Sequence, residues 1–152
     1  MVLVFFGQPH SGKTTLANAL VEISKDFVKI DGDNLREVFR NKDFSREGRI
    51  KNLQKASDIA AFLNSQGKDV ICSLVYPYVE ARSYLKELVP DSKWVFLTYN
   101  ENRGRENFHV DDFEMPDEED VLFLNTSTTS VNECLVEIIS HINQNHDSEN
   151  IS

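Results

Sequence analysis

A chain of 152 residues with 40% hydrophobic and 27% charged residues has the make-up of one globular domain, long enough to bury a core. Its formal net charge of −9 works against a nucleic-acid partner, because long-range repulsion opposes the approach of a polyanion. No apolar run reaches the ~18–20 residues of a membrane span, so no membrane association is expected.

The first apolar run, Val2-Leu3-Val4-Phe5-Phe6, reads as a strand, and with no basic leader before it no signal peptide is expected. Gly7-Gln8-Pro9-His10-Ser11-Gly12-Lys13-Thr14 follows and fits G-x-x-x-x-G-K-[ST] at every defined position, with a helical run over Lys13–Ser24 behind it. Strand, glycine loop and helix in this order bind triphosphate, because the loop offers backbone N–H donors and the helix end is positive. Gly7 and Gly12 let the backbone curl closely around phosphate oxygens. Lys13 can reach the β- and γ-phosphates, and the Thr14 hydroxyl can ligate Mg²⁺. The expected ATP-binding set is Gly7, His10, Ser11, Gly12, Lys13, Thr14 and Thr15, with His10 counted as a loop position whose ring is given no chemistry.

Phe27–Ile30 is the second expected strand and leads into Asp31-Gly32-Asp33-Asn34-Leu35-Arg36. Carboxylates at the end of a buried strand need a partner, since desolvating them alone is costly. Asp33 or Asn34 suits the cap of a helix over Asn34–Asn41. That leaves Asp31 to share Mg²⁺ with Thr14, or to accept a proton from an attacking hydroxyl. A long helix is expected over Arg46–Ser65, with Ile50, Leu53, Ala56, Ile59 and Ala60 on one stripe and Gly67 as its stop. Strands over Asp69–Val75, Trp94–Tyr99 and Val121–Asn125 and helices over Val79–Leu88 and Ser130–Ile142 complete the pattern.

Most of these strands are continuous apolar runs, as in strands covered on both faces. The alternation predicts an α/β fold of three layers, a five-stranded parallel sheet with helices on both faces and ligands at the strands' carboxyl ends. Residues 1–145 are read as a single domain and 146–152 as a polar tail. Cys72 and Cys134 lie in apolar runs and read as buried reduced thiols, in keeping with a cytoplasmic protein. A GTPase switch is disfavoured. Asn41-Lys42-Asp43 has the wrong spacing and context for reading guanine, and neither inner strand ends in a metal-binding aspartate. His109, His141 and His146 show no metal-ligand spacing.

The run Asp31-Gly32-Asp33-Asn34-Leu35-Arg36 behind a phosphate loop resembles adenylylsulfate kinase, a family that uses ATP to phosphorylate the 3′-hydroxyl of adenosine 5′-phosphosulfate. Phe44-Ser45-x-x-x-Arg49-x-x-Asn52 is similar to the family's Phe-Ser-x-x-Asp-Arg-x-x-Asn, with Gly48 in place of the aspartate. Ser73-Leu74-Val75-Tyr76-Pro77-Tyr78 resembles Ser-Phe-Ile-Ser-Pro-Tyr. Phe108-His109-Val110-Asp111-Asp112-Phe113-Glu114-Met115-Pro116 resembles, in shortened form, the family's Phe-Thr-Gly-Ile-Asp-x-Pro-Tyr-Glu-x-Pro, and Val121–Thr126 its closing strand.

The resemblance implies the three-layer P-loop kinase fold and the cofactors ATP and Mg²⁺. It implies catalytic roles for Lys13, Asp31 and Asp33, and metal contacts from Thr14 and Asp31. It also implies a grip on the acceptor's phosphosulfate by Arg36, Arg49 and Asn52, stacking of its base between Phe44 and Phe108, and a place for Ser73 in the same set. The family's basic lid shrinks here to Glu101-Asn102-Arg103-Gly104-Arg105-Glu106-Asn107, leaving Arg103 and Arg105 to meet the ATP phosphates. Acidic residues follow from Asp111 to Asp120 and read as a solvated segment. The family's Ile-Arg-Arg after the asparagine is Leu53-Gln54-Lys55, and the arginine after its Ser-Pro-Tyr is Val79. With fewer cations there, a cytidine diphosphate derivative, as in cytidine diphosphoramidate kinases, stands as a second acceptor, and a nucleotide-binding module with weak catalysis as a third reading. A polynucleotide kinase is disfavoured by the acidic balance. The family resemblance also admits a homodimer.

Overall fold

The computed structural model describes residues 1–104, 108–117 and 120–151, with side chains through residue 144. The elements run β1 (Val2–Phe6), α1 (Lys13–Ile23), β2 (Phe27–Asp31), α2 (Gly32–Phe39), α3 (Arg46–Ser65), β3 (Asp69–Ser73), α4 (Val79–Leu88), β4 (Lys93–Thr98), β5 (Val121–Asn125) and α5 (Val131–Ile151). The five strands form a parallel sheet in the order β2-β3-β1-β4-β5.

The two-residue period of a strand explains the layering. Val2, Val4 and Phe6 point to one face, where they pack with Leu53, Ala56 and Ala60 of α3 and Ala81 and Leu85 of α4. Leu3 and Phe5 point to the other, against Leu16, Ala17 and Leu20 of α1 and Leu135 and Ile138 of α5. All five residues of β1 are fully buried, whereas the edge strands β2 and β5 include exposed positions. The chain leaves β1 in opposite directions on its two sides, toward β3 and β2 first and β4 and β5 later. The crevice at the carboxyl end of β1 therefore lies at a topological switch point.

Local signals set the helix ends. Ser45 caps α3 by accepting from the Gly48 amide (3.2 Å). Ser130 and Glu133 form a capping box before α5. Gly67, at φ 82°, follows the last turn of α3 in the left-handed conformation expected of it. α1, β2, the end of α2, β4 and the start of α5 depart from the expected bounds by one or two residues, and three other boundaries also differ. β3 stops at Ser73 because its pairing with β1 and β2 ends there, and Tyr76 turns the chain at φ 44°. α2 starts at Gly32, because its cap is Asp31 and not Asp33 or Asn34. α5 runs on to Ile151, past the expected end at Ile142, although most of the added residues are weak helix formers.

Cys72 and Cys134 are both reduced and buried. Burial pushes the Cys72 thiol up to about 12 and raises Cys134 as well, with Glu137 and Glu133 adding to the latter. Both remain protonated thiols at pH 8. A chromogenic disulfide reagent at that pH is expected to titrate no thiol in the native protein and both after denaturation. Rapid reaction of the native protein would contradict the burial.

Candidate active site

The loop after β1 is shaped by contacts that glycine alone permits. Gly7 has φ 148°, and a Cβ there would strike the carbonyl oxygen of Leu97 on β4. Gly12 has φ 104° at the start of α1. Lys13 curls back over the loop, its Nζ donating to Gly7 O (3.1 Å), Gln8 O (2.9 Å) and Ser11 Oγ (3.4 Å). The ammonium thus sits at the mouth of a ring of amides, where phosphate oxygens would be met.

Asp31, the last residue of β2, faces the loop. Its Oδ1 accepts from the amides of Asp33 (3.0 Å) and Asn34 (3.4 Å), and its Oδ2 accepts loosely from Thr14 Oγ1 (3.4 Å). The carboxylate therefore has two tasks, one oxygen for the helix and one beside Thr14. Asp33 is exposed on the same wall.

A cavity of about 730 Å³ runs from the loop across the carboxyl edge of the sheet. Gly12, Lys13, Thr14, Thr15, His10, Asp31, Asp33 and Arg103 line its loop side. Arg36, Phe44, Arg49, Asn52, Ser73 and Phe108 line the other. Of the expected residues, Gly7 and Ser11 lie beneath the surface and shape the loop from behind. Arg105 lies outside the described residues.

Phe44 and Phe108 are not core residues, being 56% and 52% exposed on this cavity. Arg36 stacks over the Phe44 ring at 4.2 Å, and its Nη1 lies near Asn41 O, Asn41 Oδ1 and Asp43 O. Burial, and then the neighbouring Arg49, lower the Arg36 pKa, so two guanidinium groups share this wall at a repulsive cost that an anion would relieve. Gly48, where the family has aspartate, is required by space, because a Cβ would strike Asp43. Asn52 is buried, and its Oδ1 has no partner among the described residues, an orphan acceptor at the cavity wall.

Gln8, Tyr99, Thr126 and Arg82 support the site without having been singled out by the sequence, and the expected Arg103 is tied into the same frame. Gln8 binds the backbone of Val110 with both ends of its amide, at 2.9 Å each. Tyr99 Oη donates to Pro9 O (2.8 Å) and meets His109 Nε2 (2.8 Å). Arg103 Nη1 donates to His10 O and Thr126 Oγ1, both at 2.9 Å, while its carbonyl contacts His10 Nδ1 (2.8 Å). Glu101 pairs with both Ser127 and Arg103, and these hold its carboxyl down at about 2. Arg82 is buried on α4 and donates to Tyr76 O and Glu114 O, both at 2.8 Å. The positive charge missing at Val79 thus recurs one turn later but is spent on backbone carbonyls rather than on the cavity. Lys55 stands over the Phe39 ring at 4.5 Å, also off the cavity.

A phosphate loop opening onto a second compartment walled by aromatic rings and guanidinium groups suits phosphoryl transfer between two bound molecules. The fold is that of a P-loop kinase. The sequence model of the adenylylsulphate kinase family matches residues 1–106, and the chain belongs to that family, whose members are ATP-dependent phosphotransferases acting on a hydroxyl group. It is 36% identical over 102 residues to a probable adenylyl-sulfate kinase of Aeropyrum pernix, covering 64% of this chain and 56% of that one. It is 33% identical over 95 residues to the cytidine diphosphoramidate kinase of Campylobacter jejuni, covering 60% and 56%. The chain thus matches little more than half the length of either relative. The Mycobacterium tuberculosis APS kinase, solved in complex with AMPPNP and APS, superposes with a TM-score of 0.79 over 94% of this chain and 97% of that one, at 22% identity, which establishes the shared fold. No helix among the described residues is long and apolar enough to cross a membrane.

Proposed function

We propose that this protein transfers the γ-phosphoryl group of ATP to the 3′-hydroxyl of adenosine 5′-phosphosulfate. The observation that carries the reading is the shared cavity, which places the Lys13 loop and the Phe44–Phe108 aromatic pair on one continuous space. ATP phosphates would lie on the loop amides and Lys13, with Arg103 beside them. The acceptor's base would stack on Phe44 and Phe108, an arrangement worth roughly 1–3 kcal/mol per base. Its anionic end would meet Arg36 and Arg49, whose forked donors suit phosphate and sulfate oxygens, and the Asn52 amide.

Thr14 Oγ1 and Asp31 Oδ2, two hard oxygens facing each other at 3.4 Å, fit Mg²⁺, which takes few protein ligands when phosphates supply others. When bound, Mg²⁺ neutralises charge developing on the phosphate oxygens. The chain's own work is then positional. The loop holds the donor, the aromatic and arginine wall aims the acceptor, and Asp31, with Asp33 nearby, receives the hydroxyl proton. The reading places the protein in the cytoplasm, where ATP is available.

A cytidine diphosphate derivative is the second acceptor, supported by the likeness to the Campylobacter jejuni enzyme and by the loss of cavity cations at Gln54, Lys55 and Val79. ADP release with Mg·ATP, measured across both acceptor classes, tests the choice. Adenosine 5′-phosphosulfate is expected to give at least a tenfold higher kcat/KM. A preference for the cytidine compound would reassign the acceptor, and ATP binding with no turnover on either would leave a binding module.

A further inference from the structure

We propose that Gln8 is a positioning residue that sets acceptor affinity by tying the Phe108–Val110 segment to the phosphate loop. This rests on the kinase reading for its activity arm. Gln8 occupies an undefined position of the loop motif, so the motif assigns it nothing. Its Nε2 donates to Val110 O and its Oε1 accepts from Val110 N, each at 2.9 Å, as a neighbouring strand would do. Val110 is 4% exposed, so those two backbone groups have little access to water in place of Gln8. Phe108, two residues earlier, stands on the cavity wall, and holding Val110 fixes where that ring is offered.

The same residue bears on the donor side. The Gln8 carbonyl accepts from Lys13 Nζ at 2.9 Å, and a triphosphate drawing on that ammonium would redirect it from Gln8. The Gln8 backbone therefore meets the donor-side Lys13, and its side chain holds the Val110 backbone that leads from Phe108, which makes it a physical link between the two sides of the cavity. Tyr99 makes a parallel tie from His109 to Pro9 O, so the segment is held at successive loop residues.

Gln8→Leu keeps the bulk and removes both side-chain bonds, and Gln8→Met serves the same purpose if the first variant is insoluble. Two measurements decide the matter. Amide hydrogen exchange at Val110, read by NMR on the full chain without substrates, is expected to speed up at least tenfold. The acceptor KM at saturating Mg·ATP is expected to rise about tenfold, as loss of two modest hydrogen bonds implies, with kcat changed less than threefold and the affinity for a non-hydrolysable ATP analogue changed less than twofold. Unchanged Val110 exchange would overturn the clamp. A parallel fall in ATP affinity and melting temperature would reduce Gln8 to a structural part of the loop and overturn the acceptor role. If the wild type turns over no acceptor, the kinase reading fails, while the exchange measurement still judges the clamp.

Discussion

Replacing Lys13 with alanine is expected to lower phosphoryl transfer by roughly 10²–10³-fold or more, the range seen when one preorganised donor to developing charge is removed. The ammonium is held at the loop mouth by Gly7 O, Gln8 O and Ser11 Oγ, and a triphosphate would draw it from those acceptors onto the phosphate oxygens. The three bonds are only part-buried, so losing the ammonium leaves no fully enclosed polar group newly unpaired at the lysine's own end. The melting temperature is therefore expected to fall by no more than ~2–4 °C, the shift that ~1 kcal/mol produces in a chain of this size. Single-turnover assays beside thermal melts separate the two effects. A Lys13→Ala enzyme with near-normal rates would remove the phosphate loop from the chemistry.

The second large effect belongs to Asp31, where structure and catalysis can be pulled apart. Asp31→Asn keeps an oxygen for the Asp33 and Asn34 amides, and asparagine caps helices about as well as aspartate. Its stability should match the wild type. Its turnover should drop by about 10²–10⁴-fold, because an amide neither receives a proton nor carries the charge that a metal requires. Asp31→Ala loses the cap too and should unfold ~0.5–2 kcal/mol more easily. Chemical denaturation and steady-state kinetics on the pair give a direct comparison. A fully active Asp31→Asn protein would leave Asp31 with the cap alone, and Asp33 would become the carboxylate to examine.

The main architecture could be read from residue patterns because it depends on burial. β1 and β5, and α3 and α4, begin and end where apolar periodicity and caps such as Ser45 place them. Boundaries failed where pairing decided instead. Leu74 and Val75 are as apolar as β3 itself, but the registered pairing with β1 and β2 ends at Ser73, and Tyr76 then turns the chain. The residue pattern points to Asp31 for chemistry and to Asp33 or Asn34 for the cap, whereas one carboxylate has enough lone pairs to contact both Thr14 and the helix. The family motifs picked out the cavity-lining Arg36, Phe44, Arg49, Asn52 and Phe108, since each is a residue type with evident chemistry. Gln8, Tyr99, Thr126 and Arg82 were invisible for the opposite reason. Their roles lie in bonds to distant backbone atoms, and no local spacing encodes such a partner.

The loop positions that the motif leaves open are not open in this molecule. Gln8 bonds Val110, Pro9 bonds Tyr99 and His10 bonds Arg103, so three consecutive residues each answer to the stretch on the far side of the cleft. A loop transplanted from a relative would arrive without its counterparts. Over evolutionary time, changes at 8–10 should be tolerated chiefly when matched by changes at 99–110, a form of epistasis in which the least constrained letters of a nucleotide motif become the most lineage-specific.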